Sequence, residues 1–386
     1  MGNWISVFRR TTTGKGFIPE IDGLRFLAIM TVVVFHFHYL FSKEIEGKVT
    51  MDWVDGGMTT AGWWFSRLDL GVKVFFAISG FILSVPFIQQ YWFNGKSISI
   101  KQYFIRRLTR LEPPFLVAIT GFLLVHVVVL GADFGQLLPH YFATLVYLHT
   151  VIFNEYSIIN PVTWSLETEV QFYILIPILA LAILKPNRRQ LAFWVLISLF
   201  FGSIYMRGWI LNEGPYGMMA NIAGYFSHFS IGIGFGYLFL IRGEWLKKKS
   251  LIWDVIGLVS CISFFMFYKP QAGFYNQLIF NISIFILFLS VFKGSIHNWL
   301  YTRPLVYLIG GMCYTIYLLH LAFFGLIVKI SPSIFLFENY SSNFYFHFTI
   351  ALVLLMVISA LFFIWIEKPC MDKEWPKKLK ERLFAK

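Results

Sequence analysis

Asp22-Gly-Leu-Arg25-Phe-Leu-Ala-Ile-Met-Thr-Val-Val-Val-Phe-His36 is an apolar stretch in which an arginine and a histidine stand eleven residues apart. At about 100° per residue, eleven steps return the helix to within about 20° of one face, roughly 16 Å further along the axis. Ionisable side chains inside a membrane span are costly and mark functional sites. The stretch therefore reads as a first transmembrane helix with a cation at the membrane edge and an imidazole near the midplane. The same apolar character recurs along the whole chain.

Of the 386 residues, 58% are hydrophobic, 20% aromatic and only 13% charged, about half the charge of an average soluble protein. The composition excludes a soluble globular domain and implies a polytopic membrane protein. The net charge of +12 does not indicate nucleic-acid binding, because the basic residues sit in short loops between apolar runs, the pattern of membrane orientation. Cys261, Cys313 and Cys370 lack metal spacing and imply neither a disulfide frame nor a zinc site. Arg9-Arg10 is followed by Thr-Thr-Thr-Gly-Lys rather than an apolar stretch, so no twin-arginine leader is expected, and the 22–41 segment is expected to stay as the first helix.

Runs of spanning length occur near 22–41, 70–91, 113–131, 163–184, 190–207, 221–241, 251–268, 275–292, 305–328 and 345–366. The expected fold is all-α, a polytopic membrane protein with ten transmembrane helices and both termini cytoplasmic. That orientation leaves 24 Lys and Arg in inner loops and tails against 6 outside, with Arg25 and Lys73 inside spans. The apolar segment 136–152 breaks the count, since a further crossing would invert every later loop; it reads as a re-entrant or interfacial helix on the outer side. Neither internal repeats nor low-complexity tracts are visible. One membrane domain over 1–386 is expected, with its core at about 17–370 and a basic cytoplasmic tail at 371–386.

Several strings, taken in order, resemble the acyltransferase family 3 of membrane proteins: Ile21-Asp-Gly-Leu-Arg25 through His36, Phe75-Phe-Ala-Ile-Ser79-Gly-Phe, Arg106-Arg107-Leu-Thr-Arg110-Leu-Glu-Pro, Trp164-Ser-Leu-Glu-Thr-Glu169-Val-Gln-Phe-Tyr173, Tyr314-Thr-Ile-Tyr317-Leu-Leu-His320 and Glu367-Lys-Pro. The resemblance runs from about residue 17 to 370. It implies O-acylation of carbohydrates or other hydroxyl acceptors, acetyl as the group transferred, from acetyl-CoA or another acyl-CoA, no permanently bound cofactor, and residence in a bacterial inner (plasma) membrane. It also implies a stand-alone membrane domain. Three residues depart from the family pattern: Lys73, where an acid or polar residue is common, Glu112, where an apolar one is, and Glu167, a second carboxylate beside Glu169.

Each candidate has two readings. His36 is either a satisfied core histidine or the general base that takes the acceptor hydroxyl's proton, the role the resemblance implies. His38, about 200° around the helix from it, reads as structural. Arg25 is either an edge anchor paired with Asp22 or a contact for the acyl donor. Arg107 and Arg110 share a face of the basic loop entering the third helix; they are positive-inside anchors or a guanidinium fork for the phosphates of acyl-CoA. Glu169 is a structural acid or orients His36, as a triad carboxylate does. Counted from the helix ends, His36, Glu169 and Ser79 fall at one depth, which argues for a catalytic chamber. Ser79 before Gly80 reads as a packing pair or a substrate contact, not a nucleophile. Tyr314, Tyr317 and His320 line an acceptor entrance or belong to packing, and Lys73 with the 42–69 loop is the candidate for acceptor choice. Gly232-Ile-Gly-Phe-Gly236 has no preceding strand and reads as close helix packing, and Trp63-Trp64 as an interfacial belt. Metal-ligand spacing is absent.

The function expected is transfer of an acyl group from cytosolic acyl-CoA to a hydroxyl of an extracytoplasmic glycan or lipid-linked saccharide. The rival is a transporter of a lipid-linked sugar or small molecule, which ten helices and midplane polar groups also fit.

Overall fold

The computed structural model describes residues 3–11, 17–46, 48–51, 61–268, 273–330, 336–372 and 374–377. Residues 52–60 of the 42–69 loop and 378–386 of the tail lie outside them. Among the described residues the architecture is all-helical. In chain order the first helices are α1 (Asn3–Phe8), α2 (Pro19–Ile45), α3 (Ala61–Phe65), α4 (Gly71–Trp92), α5 (Ile100–Val128), α6 (Phe134–Leu145), α7 (His149–Phe153), α8 (Trp164–Ile183) and α9 (Arg189–Asn212). There follow α10 (Phe226–Ile241), α11 (Gly243–Lys247), α12 (Ile252–Phe267), α13 (Phe274–Lys293), α14 (Ser295–Tyr301), α15 (Pro304–Gly311), α16 (Cys313–Ile330), α17 (Tyr340–Phe362) and α18 (Lys368–Cys370).

Every expected run carries a helix, but the expected ten spans are not all reproduced. Seven helices are long and apolar enough to cross, and α15 with α16 makes an eighth if the pair, bent by 70°, is one span. The remaining two, α10 and α12, have 16 residues each, about 24 Å against a hydrocarbon core of about 30 Å. The 221–241 run is shortened because Ile222–Gly224 forms a 3-10 turn rather than α-helix. The segment at 136–152 divides into α6 and α7, of 12 and 5 residues, with Tyr147 at φ 58° between them; neither is long enough to span. Glu167 accepts the Thr150 amide at 3.1 Å, so this second carboxylate ties α7 to α8.

Two central helices, α2 and α4, carry the core. Val33, Phe37 and Phe41 of α2 pack with Phe115, Phe324 and Phe344 of α5, α16 and α17, while Ala77 and Phe81 of α4 pack with Phe235 and Phe288 of α10 and α13. Close approach depends on glycine. A Cβ at Gly80 would collide with the Phe229 carbonyl, and one at Gly232 with that of Ala77, whereas Gly234 faces open space. The glycine run at 232–236 is a packing face, as expected.

Prolines inside the helices free carbonyls that the fold then uses. Pro177 cannot donate to Tyr173, and the Tyr173 carbonyl accepts from the Tyr103 hydroxyl at 3.1 Å. Pro113 leaves the Thr109 carbonyl open in the same way, and Trp375 Nε1 donates to it at 2.8 Å. These two bonds brace the inner half of α5.

Candidate active site

A cavity of about 1340 Å³ opens among α4, α5, α8 and α16, lined in part by Arg25, Arg107, Arg110, Ser79, Glu169 and Tyr317. Arg107 and Arg110 were expected in a loop; they lie within α5, which begins thirteen residues before the apolar run because Ser99 caps it by accepting from the Gln102 amide. The Arg107 guanidinium stacks 3.7 Å over Tyr103 and 5.4 Å from Tyr173, and its Nη1 donates to the Tyr103 carbonyl at 3.3 Å. The Nε atoms of Arg107 and Arg110 are buried with no hydrogen-bond partner. Guanidinium groups so held, with donors to spare, suit an oxyanion.

Arg25 donates to Asp22 at 2.6 Å, the i, i+3 pair the spacing predicts, while Arg10 holds the other oxygen of that carboxylate at 2.8 Å. Asp22 lies in the first turn of α2, not at its cap. Burial, together with the neighbouring Arg25 charge and against the pull of Asp22, lowers Arg10 to about 10, so it stays cationic at neutrality. Arg10 escaped sequence reasoning, in which Arg9-Arg10 served only to judge a leader; nothing in the local pattern announces a contact to α2. Lys368 fixes this N-terminal segment by donating to the last carbonyls of α1, at 2.8 Å to Ser6 and 2.7 Å to Val7. Glu367 accepts from Thr315 at 2.5 Å and lines the same cavity.

Deeper in, the Ser79 hydroxyl donates to Glu169. The Tyr314 hydroxyl bonds the Leu111 carbonyl at 2.9 Å. At the end wall the Tyr317 hydroxyl donates to the Val162 carbonyl and pairs with Ser165 Oγ at 3.0 Å.

His36 is not on this wall. Its Nδ1 lies 2.9 Å from Nε2 of His320, a fully buried residue placed one turn beyond Tyr317 on α16. His320 Nδ1 faces the carbonyls of Tyr317 at 2.8 Å and Ile316 at 3.1 Å. Carbonyls only accept, so Nδ1 of His320 carries the proton and its Nε2 the lone pair. That lone pair accepts from Nδ1–H of His36 and leaves Nε2 of His36 basic. His320, expected at an acceptor entrance, is instead the partner of His36.

The expected convergence on one level is thus only half realised. Ser79 and Glu169 meet; counting along α8 and α16 through the Ser165–Tyr317 contact, Glu169 sits about 10 Å from the level of His36. Arg25 stood as the inner edge for His36 and Asn160-Pro161 as the outer helix start for Glu169, whereas α2 extends from Pro19 to Ile45 and α8 is preceded by a 3-10 turn, Pro161–Thr163. Asn160 does not cap that turn by its side chain; its Nδ2 donates to the Leu318 carbonyl at 3.0 Å. Lys73 is engaged by Asp69 at 2.9 Å and the Tyr268 hydroxyl at 2.5 Å. His38 bonds the Tyr340 hydroxyl at 2.8 Å, and Glu112 accepts from Tyr147 at 2.9 Å. Among the described residues no cluster of three or more His, Cys, Asp or Glu is placed to hold a metal.

The long apolar helices define an integral membrane protein, and its chemistry comes from comparison with known proteins. The family model described as "Acyltransferase domain" matches residues 18–384, and the chain belongs to that family. It is similar to the peptidoglycan O-acetyltransferase OatA of Listeria monocytogenes, 27% identical over 46% of this chain and 26% of that one. It is also similar to the O-acetyltransferase OatA of Staphylococcus aureus strain NCTC 8325, 24% identical over 79% and 50%, and to a putative O-acetyltransferase of strain COL, 23% identical over 79% and 50%. The chain spans half or less of the length of these relatives. No solved structure matches.

Proposed function

We propose that the chain is a membrane-bound O-acetyltransferase that moves an acetyl group from cytosolic acetyl-CoA to a hydroxyl of an extracytoplasmic glycan or lipid-linked saccharide. The observation that carries this reading is one arrangement: an arginine-lined cavity ends at Tyr317, one helical turn from a histidine pair with a basic nitrogen to offer. Arg107 and Arg110, with Arg25 behind them, would hold the phosphates of the donor, and the pantetheine arm would run past Ser79 and Glu169. Displacement of Tyr317 from Ser165 would admit the thioester to His36.

His36 Nε2 then takes the proton of the acceptor hydroxyl as its oxygen attacks the thioester carbonyl; the C–S bond breaks, the proton passes from His36 to the departing sulfur, and coenzyme A leaves as a thiol. His320 keeps His36 in the reactive tautomer, as the third member of a triad does. The charge count supports a cytosolic arginine mouth, on the side where acyl-CoA is made, and cytosolic termini with it. The relatives' names support acetyl and a cell-wall glycan. A lipid-linked sugar transporter would need neither the arginine mouth nor a tautomer-fixed histidine. The test is a label chase: membranes containing the protein are given acetyl-labelled acetyl-CoA and the glycan, glycolipid and protein fractions are counted. Label in a saccharide fraction only when the protein is present supports the reading. Label that never leaves the donor, with folded protein and added glycan extracts, rejects it.

A further inference from the structure

We propose that the outer ends of α8, α9 and α10 form a binding site for a saccharide carrying an anionic group, with Arg207 as its anchor. The proposal rests on the function above only in that such a sugar would be the acceptor. Arg207 lies near the outer end of α9, and its guanidinium sits 4.4 Å from the centre of the Tyr225 ring. Its Nη1 is buried without a hydrogen-bond partner. Unsatisfied buried donors are rare and call for an explanation.

The charge of Arg207 is also uncompensated. Two other cations embedded in the helices have a carboxylate, Arg25 with Asp22 and Lys73 with Asp69, whereas Arg207, like Arg107 and Arg110 of the donor cavity, forms no ion pair among the described residues. Asp69, the acid of this region, is already taken by Lys73 and the Tyr268 hydroxyl. An anion from outside supplies what the fold omits.

Around the guanidinium the rings form a continuous wall. Tyr225 lies 5.4 Å from Trp164, Trp164 is stacked 6.0 Å from Tyr156, and Tyr156 lies 5.1 Å from Tyr216. The wall runs from Tyr216, 41% exposed, to Tyr225, 2% exposed. Aromatic faces beside one fixed cation suit a sugar ring, whose C–H face packs on the ring while its carboxylate or phosphate takes the guanidinium bidentately. Trp164 precedes Ser165, the partner of Tyr317 on the donor cavity, so the wall adjoins the residue next to that cavity in the chain.

The full chain in nanodiscs is titrated with N-acetylmuramic acid, N-acetylglucosamine 1-phosphate and N-acetylglucosamine, with binding read by saturation-transfer NMR. The charged sugars should bind more tightly than the neutral one, and the tighter of the two names the anion. Arg207→Gln should weaken the charged sugars about tenfold or more and leave the neutral sugar unchanged. Tyr216→Ala, an exposed-rim change that spares folding, should weaken all three. Acetyl-CoA binding measured on the same samples separates the two readings, because its absence counts against the donor site while sugar binding stands. Equal binding of neutral and charged sugars, no binding of any, or wild-type affinity for N-acetylmuramic acid in the folded Arg207→Gln protein overturns the proposal.

Discussion

His320 presents Nε2 to Nδ1 of His36 at 2.9 Å while its own Nδ1 is fixed by the Tyr317 carbonyl at 2.8 Å. Two hydrogen bonds thereby decide which nitrogen of His36 is free. Removing the relay should cost turnover and spare donor binding. His320→Phe is expected to lower kcat about 10- to 100-fold, the usual effect of losing an orienting partner, with the acetyl-CoA Kd unchanged. His320→Gln, whose side-chain oxygen can accept from Nδ1–H, should keep more activity than His320→Phe. Equal, full activity in both would remove His320 from the mechanism.

Arg107 and Arg110 hold unpartnered Nε atoms on the cavity wall. Each should contribute about 1.5–3 kcal/mol to a charged hydrogen bond with phosphate, so Arg107→Ala and Arg110→Ala are each expected to raise the acetyl-CoA Kd about tenfold or more. Desulfo- or dephospho-analogues of the donor measured by calorimetry tell the contributions apart: loss of a phosphate should weaken wild type more than either alanine variant.

Orientation can be read by labelling. With Cys261, Cys313 and Cys370 replaced by alanine, Lys96→Cys, beside the arginine mouth, should react with a membrane-impermeant maleimide only in inside-out vesicles. Tyr216→Cys should react only in right-side-out cells. The reverse pattern would put the donor cavity on the wrong side for cytosolic acyl-CoA.

Packing predicts a contrast among glycines of one segment. Gly232→Ala drives a methyl into the Ala77 carbonyl, while the Gly234 position has open space. The first should destabilise by about 1–3 kcal/mol or more, and Gly234→Ala should be neutral. Thermal unfolding in detergent reports both.

Periodicity and hydropathy exposed the helices because the solvent of this fold is lipid, and the charge asymmetry of the loops survives any detail of packing. Helix ends were less legible: α5 runs through the basic segment as a continuous helix, and the 70° break between α15 and α16 at Gly310-Gly311-Met312 interrupts an unbroken apolar run. The residues of the site were legible one helix at a time, as with Arg25 and His36 on one face of α2. Which of them meet was not. The His36–His320 pair spans 284 positions, and Arg10 reaches Asp22 from a segment whose only visible property was its charge. Azimuth and tilt, which decide such contacts, leave no trace in a one-dimensional pattern.

Turnover and donor affinity of purified His36→Ala, measured together with acetyl-CoA and the labelled saccharide acceptor, decide whether His36 is the base. A loss of kcat of about 10²- to 10⁴-fold with an unchanged acetyl-CoA Kd is the predicted result. Turnover within a few-fold of wild type would contradict the assignment of His36 as the base.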